Sequence, residues 1–172
     1  GSLTLHAGIA GGADIILIPE IPYDIKKVVA AIQKRSKAGK RFTILAVAEG
    51  AISKEDALLS KKDYKKKLED RAKKYPSVSY EIADKITQEL GSEVRITVPG
   101  HTQRGGAPCA YDRVLSTRIG AGAAEAILDG EYGIMIGVVN GKIKRVPLAE
   151  CAGKLKMVSP KDQTVKAAKQ IG

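Results

Sequence analysis

"DIILIPEIPYDIKKVVAAIQKRSKAGKRFTILAVAEG", residues 14–50, decides the fold. "DIILI", 14–18, is a short apolar, β-branched run closed by Pro19, as expected of a buried strand in a parallel sheet. Asp24 can cap a helix over 24–37, in which Ile25, Val28, Val29 and Ile32 recur at helical spacing. Gly39 stops that helix, and "FTILAVA", 42–48, reads as the next strand. Strand, helix and strand with short links make a βαβ unit, and a βαβ unit implies an α/β fold with parallel strands.

The segments on either side extend this pattern. "LTLHAGIA", 3–10, reads as a helix ended by Gly11 and Gly12. Residues 50–75 end in a basic helix, and Ser77 or Ser79 can cap the next one, "YEIADKITQEL", which Gly91 ends. "EVRITV", 93–98, alternates and predicts a strand. "AYDRVLSTRIGAGAAEAILDG", 110–130, is a long helix rich in small residues, suited to close packing on a neighbour. "YGIMIGVVNGKIKRVPL", 132–148, is a pair of strands joined at Asn140-Gly141, the strongest short hairpin signal. The tail, 160–171, is a further amphipathic helix.

Composition narrows the function classes. With 172 residues and 44% hydrophobic content, the chain can build one good-sized core or two lobes. No run approaches the length of a membrane span, and the opening "GSLTLHAGIAGGADIILIPE" lacks the pattern of a signal peptide. Cys109 and Cys151 have no metal-ligand spacing and read as free thiols of a reducing cytoplasm. The formal charge is +10, but residues 61–74, "KKDYKKKLEDRAKK", carry eight basic and three acidic residues, half of the excess. That segment reads as a solvated helix face. Only seven residues are aromatic, and none interleaves with a basic stripe as a nucleic-acid stacking platform requires. Neither nucleic acid nor membrane is expected as a partner, and an anionic metabolite suits the remaining cations better.

In open α/β sheets, ligands bind beyond the carboxyl ends of strands. Three such ends are visible: Pro19-Glu20, Glu49-Gly50 and Gly100-His101. Glu20, among prolines, reads as a loop feature. Glu49 either marks the exit of its strand to water or accepts hydrogen bonds from sugar hydroxyls. The third end leads into "PGHTQRGGAPCAYDR", 99–113. Gly105 and Gly106 let a ligand approach the backbone, and Pro108 suits the first turn of a helix. A helix start offers unpaired N–H groups to an anion. Arg104 adds a planar fork, His101 a further donor, and Arg95 lies six residues earlier on the expected strand. Two readings stand here: a phosphate site, or a Gly-Pro turn with solvated charges. No nucleophile elbow, Walker A loop or dinucleotide fingerprint is present, since "GIAGG" has neither the spacing nor the context.

"GHTQRGGAPCAYDRVLSTRIGAGAAEAI" resembles the phosphofructokinase signature, G-H-x-Q-R-G-G-x-P followed by D-R and a small-residue helix. "LTLHAGIAGGADIILIPE" and "GKRFTILAVAEG" resemble segments of the same family in the same order. The resemblance implies a Rossmann-like three-layer sandwich with a mainly parallel sheet. It also implies an enzyme that phosphorylates the 1-hydroxyl of fructose 6-phosphate with Mg²⁺. By it, His101, Gln103 and Arg104 belong to the substrate site, with His101 and Arg104 on the 6-phosphate. Arg95 would reach the 6-phosphate of a neighbouring subunit in a homodimer or homotetramer, and Glu49 would hold sugar hydroxyls. Gly12, Ala13, Asp14, Lys40 and Arg41 fall where regulated members bind an allosteric nucleotide, and Asp14 could support a metal there. Ala38 replaces a basic residue of that site.

What matches is the acceptor-binding part. The family's donor loops, its catalytic aspartate and its M-G-R motif lie N-terminal to everything here, so no catalytic base is assigned and no metal ligand is expected. The start at Gly1-Ser2 is expected to be that of a piece of a longer protein, inactive alone. Residues 1–106 are expected to form a sugar-phosphate lobe with an inserted basic segment at about 51–91, and 107–172 a helix, hairpin and tail that pack on a donor domain. The insertion resembles the long-chain branch, whose donor is ATP or pyrophosphate. A non-catalytic sugar-phosphate sensor or regulatory subunit on the same fold is the alternative, and an intact donor loop upstream would discriminate against it.

Overall fold

The computed structural model describes residues 1–171. It divides the chain into two compact units: Gly1–Thr97 with the tail from Met157 onward, and Val98–Lys156. The tail that the sequence grouped with the hairpin thus belongs to the first unit.

The first unit is the expected α/β structure with parallel strands. Helix α1 (Ser2–Ala10) leads to strand β1 (Ile15–Leu17), helix α2 (Ile25–Lys37) and strand β2 (Leu45–Val47). The strands pair in parallel, Ile15 opposite Leu45 and Leu17 opposite Val47. Asp24 caps α2 as its position predicts, its carboxylate accepting from the N–H groups of Lys26 (3.0 Å) and Lys27 (3.4 Å). Lys34, Arg35 and Lys37 occupy the last turn, where cations offset the negative end of the helix. Gly8 lets α1 lie close on the strands: a Cβ there would sit 2.7 Å from Ile16 Cδ1.

After β2 come the short helix α3 (Lys54–Ala57), the basic helix α4 (Lys61–Lys74) and α5 (Val78–Leu90). Ser60 caps α4, and Gly91 closes α5 in the left-handed conformation at φ 61°. The core joins Leu17, Tyr23, Val28, Ala51, Val78, Ile82 and Ile86. A smaller cluster of Leu5, Ile18 and Val165 fastens the tail helix, α8 (Gln163–Ile171), to this unit.

Residues 93–98 are not the strand that their alternation predicts. An extended run becomes a strand only when a neighbouring ladder takes up its N–H and C=O groups, and among the described residues β2 pairs with β1 alone. Residues 92–97 instead line a cavity of about 490 Å³ together with Lys40–Thr43, Leu45 and Val47.

The second unit holds α6 (Ala110–Leu128), the hairpin strands β3 (Ile134–Val139) and β4 (Lys142–Pro147), and α7 (Leu148–Cys151). Asn140 (φ 50°) and Gly141 (φ 74°) form the tight turn their dipeptide predicts. The small residues of α6 do serve close packing: a Cβ at Gly122 would meet Ile143 Cγ2 at 2.9 Å and Ile136 Cγ2 at 3.3 Å. Among the described residues, no helix is long and apolar enough to cross a membrane.

Candidate functional site

The opening of the second unit carries the motif. Gly100–Arg104 is one 3₁₀ turn, entered through Gly100 at φ 52° and closed by a hydrogen bond from Gly105 N–H to Thr102 O (3.3 Å). Residues i and i+3 of such a turn eclipse, so His101 and Arg104 project from one side of it. Both are exposed, as is Gln103. The ion pairs of this unit run through Arg145, to Asp129 (2.7 Å) and Glu131 (3.2 Å). Among the described residues, His101 and Arg104 take part in none. Gly106, at φ 93°, holds a conformation that a side chain would strain, so the turn after Arg104 depends on glycine.

The expectation that this loop delivers an anion to a helix start needs correction. The imidazole and guanidinium sit on their own turn, and α6 begins only at Ala110, with Pro108 outside it and Cys109 as N-cap. Asp112, in the first turn of α6, accepts from Cys109 N–H at 3.1 Å. The positive end of α6 therefore already has its carboxylate, while His101 and Arg104 stand on the separate turn before it.

In the first unit, Glu49 follows the carboxyl end of β2, beside Gly50, and is exposed. It lines a pocket of about 260 Å³ with Leu68, Arg71 and Ala72 of α4 and with Tyr75–Val78. That the basic segment reaches Glu49 is not legible in the sequence, because a helical face can be counted but its neighbour cannot. Arg95 is 87% exposed and pairs with Glu93 at 3.0 Å.

Each carboxylate oxygen of Asp14 has a partner inside the first unit. One oxygen pairs with Arg35 (2.7 Å) and the other accepts from Ile44 N–H (2.9 Å). The carboxylate thereby joins the start of β1 to the last turn of α2. Gly12 (φ 66°) and Ala13 lead into it, while Lys40 and Arg41 are exposed on the far side of the Gly39 turn. Among the described residues, no group of three or more His, Cys, Asp or Glu side chains could hold a metal ion.

The family model for Phosphofructokinase matches residues 1–127. The ATP-dependent 6-phosphofructokinase of Spirochaeta thermophila is 47% identical over 172 residues, which is all of this chain and 46% of that protein. The ATP-dependent 6-phosphofructokinase of Propionibacterium freudenreichii is 38% identical over 188 residues, all of this chain and 50% of its own length. The chain thus spans about half the length of the curated relatives it matches. Among solved structures, the T-state phosphofructokinase of Pichia pastoris aligns with a TM-score of 0.60 at 32% identity, over 99% of this chain and 17% of that one. A pyrophosphate-dependent phosphofructokinase of Marinobacter aquaeolei aligns at 0.65 and 19% identity, over 98% of this chain and 44% of that one, a likeness of fold alone.

Proposed function

The chain belongs to the phosphofructokinase family, and on that premise we propose that it is the acceptor-binding portion of a 6-phosphofructokinase. The full protein transfers a phosphoryl group from ATP to the 1-hydroxyl of fructose 6-phosphate. The observation that carries this reading is the side-by-side placement of His101 and Arg104 on the Gly100–Arg104 turn, inside the family match and without internal partners among the described residues.

In this reading, Arg104 grips the 6-phosphate with a planar pair of donors, His101 adds one beside it, and Gln103 supports the same turn. Glu49 accepts from sugar hydroxyls, and Arg95 serves the 6-phosphate of a second copy in a homo-oligomer. ATP is favoured as donor because the curated relatives cited above carry that specificity in their names. The groups that bind it, the magnesium that accompanies it and the catalytic base are assigned to the part of the relatives' length that this chain does not span. The second unit packs on that part, and the chain alone is inactive. The free thiols Cys109 and Cys151 suit a cytoplasmic enzyme.

In the intact enzyme, Arg104→Ala is expected to weaken fructose 6-phosphate binding by about 1.5–3 kcal/mol, the scale of a hydrogen bond to a charged group. Equilibrium binding measures it, and unchanged affinity removes Arg104 from the phosphate site.

A further inference from the structure

The basic helix α4, which the sequence reads as a solvated face, turns one stripe inward. Lys67, Arg71 and Lys74, spaced four and three apart, share a side of the helix. Each meets a carboxylate of a neighbouring helix. Lys67 pairs with Asp56 of α3, Arg71 with Glu81 of α5 at 3.5 Å, and Lys74 with Asp84 of α5 at 3.9 Å. Just beyond the helix, the Tyr75 hydroxyl donates to Asp84 as well. Asp56 and Glu81 are buried, at 5% and 7% exposure, and a buried carboxylate is costly without a counter-charge. Glu81 Oε1 accepts from Lys85 of its own helix at 2.7 Å. Its Oε2 has no hydrogen bond among the described residues, and Arg71 is its counter-ion.

Apolar packing adds little to this hold. Among the described residues, α4 has none that is buried, and Tyr64 and Leu68, on the inward side, are half-buried. The main core cluster draws no residue from α4. Ser60, extended at ψ 155°, caps the helix from outside: its hydroxyl accepts from Asp63 N–H (3.2 Å) and donates to the Asp63 carboxylate (2.6 Å). Tyr75, extended at ψ 136°, follows the last turn. The helix is thus capped from within its own segment, set between two extended residues, and held to its lobe chiefly by ion pairs. Lifting it breaks those pairs but returns water to Asp56 and Glu81, which offsets part of the loss. The core stays intact, and elements held in this way open more readily than the core does.

What α4 covers gives such an opening its purpose. Leu68, Arg71 and Ala72 form one wall of the pocket of about 260 Å³ beside Glu49, past the carboxyl end of β2. We infer that α4 is a lid on the acceptor site, latched by Asp56 and Glu81, which opens to admit the sugar and closes beside Glu49 once it is bound. Arg71 serves here as part of the latch, and the sugar is left to Glu49. The basic insertion thereby controls access to the acceptor site. The inference rests on the reading of Glu49 as the group that holds sugar hydroxyls.

Hydrogen exchange on the intact enzyme tests this. The amides of 61–74 are expected to exchange faster than those of α2 and α5. Fructose 6-phosphate at about ten times its Kd should slow them about tenfold, because a ligand held only under the closed lid lowers the open population by that factor. Asp56→Asn and Glu81→Gln each remove one latch and leave no unpaired carboxylate buried. Each should speed α4 exchange about fivefold, the upper end for a partly exposed ion pair, with α2 unchanged. An α4 that exchanges no faster than α5 overturns the inference, and this wild-type measurement decides even where a variant fails to fold. Unchanged α4 exchange in both folded variants overturns it too, as does an α4 that bound fructose 6-phosphate does not slow. Equilibrium binding to Glu49→Gln separates the two levels. If Glu49→Gln weakens fructose 6-phosphate binding while α4 ignores the sugar, the lid falls and the reading of Glu49 stands. If Glu49→Gln leaves binding unchanged, that reading falls, and with it the lid's place over the sugar.

Discussion

Tyr23 shows what a single residue contributes to the balance of this core. It is buried at 6% exposure, in the main cluster. Burial pushes its phenol up to about 12, the carboxylates of Glu81, Asp56 and Glu55 add to the push, and the Arg71 guanidinium opposes it. The unfolded chain ionises near the ordinary value of 10 while the folded one stays protonated. The folded state therefore holds its proton more tightly, and stability intact below pH 10 is lost as pH rises towards 12. Between pH 9 and 11 this group alone should cost about 1 kcal/mol, from 1.36 kcal/mol per pH unit per proton. Denaturant unfolding of wild type and Tyr23→Phe at both pH values isolates it, since the lysines titrate alike in each. Parallel losses in the two proteins would show that Tyr23 does not retain its proton.

At the scale of elements, the ends of α1 and α2 bear on the allosteric nucleotide site that the family resemblance implies. A phosphate near the last turn of α2 meets the negative end of a helix, so cations must outweigh it. Lys40 and Arg41 are exposed and available, but Asp14 is spent on Arg35 and Ile44 N–H. A nucleotide's metal would have to compete with Arg35 for the carboxylate. ADP bound here should therefore bind without magnesium dependence, and the event should vanish in Lys40→Ala/Arg41→Ala. Calorimetry on the intact enzyme distinguishes this event from product binding at the active site. An ADP event that persists in the double variant removes the site.

The same elements show what the sequence could and could not specify. The βαβ unit, the Asp24 cap, the Gly91 stop and the Asn140-Gly141 turn were legible because each is dictated within a few residues. Gly122 announced close packing, though only the fold shows that Ile136 and Ile143 are what it meets. Residues 93–98 misled because alternation reports a pleat and cannot report a partner strand. The 3₁₀ turn at 100–104 went unseen because so short a turn has no periodicity of its own. Its two donors, three apart, were nonetheless legible as a pair.

For the whole molecule, the homo-oligomer proposed above makes it decisive which copy of the chain each group serves. Arg95 is 87% exposed and its partner Glu93 74% exposed, a pair worth at most about 1 kcal/mol and readily given up to a phosphate. That suits a side chain that reaches outward to a second copy, whereas Glu49 faces a pocket of its own unit. In a two-fold dimer, Arg95→Ala then damages the neighbour's site and Glu49→Ala its own. A hybrid of the two variants has one site with both defects and one with neither. Random mixing of inactive parents is expected to return about one quarter of wild-type sites, because half of the dimers are hybrids with one intact site of two. The readout is fructose 1,6-bisphosphate formation after dissociation and reassembly of the intact enzyme. If Arg95 served its own subunit, every site in every hybrid would lack one group, and mixing would restore nothing.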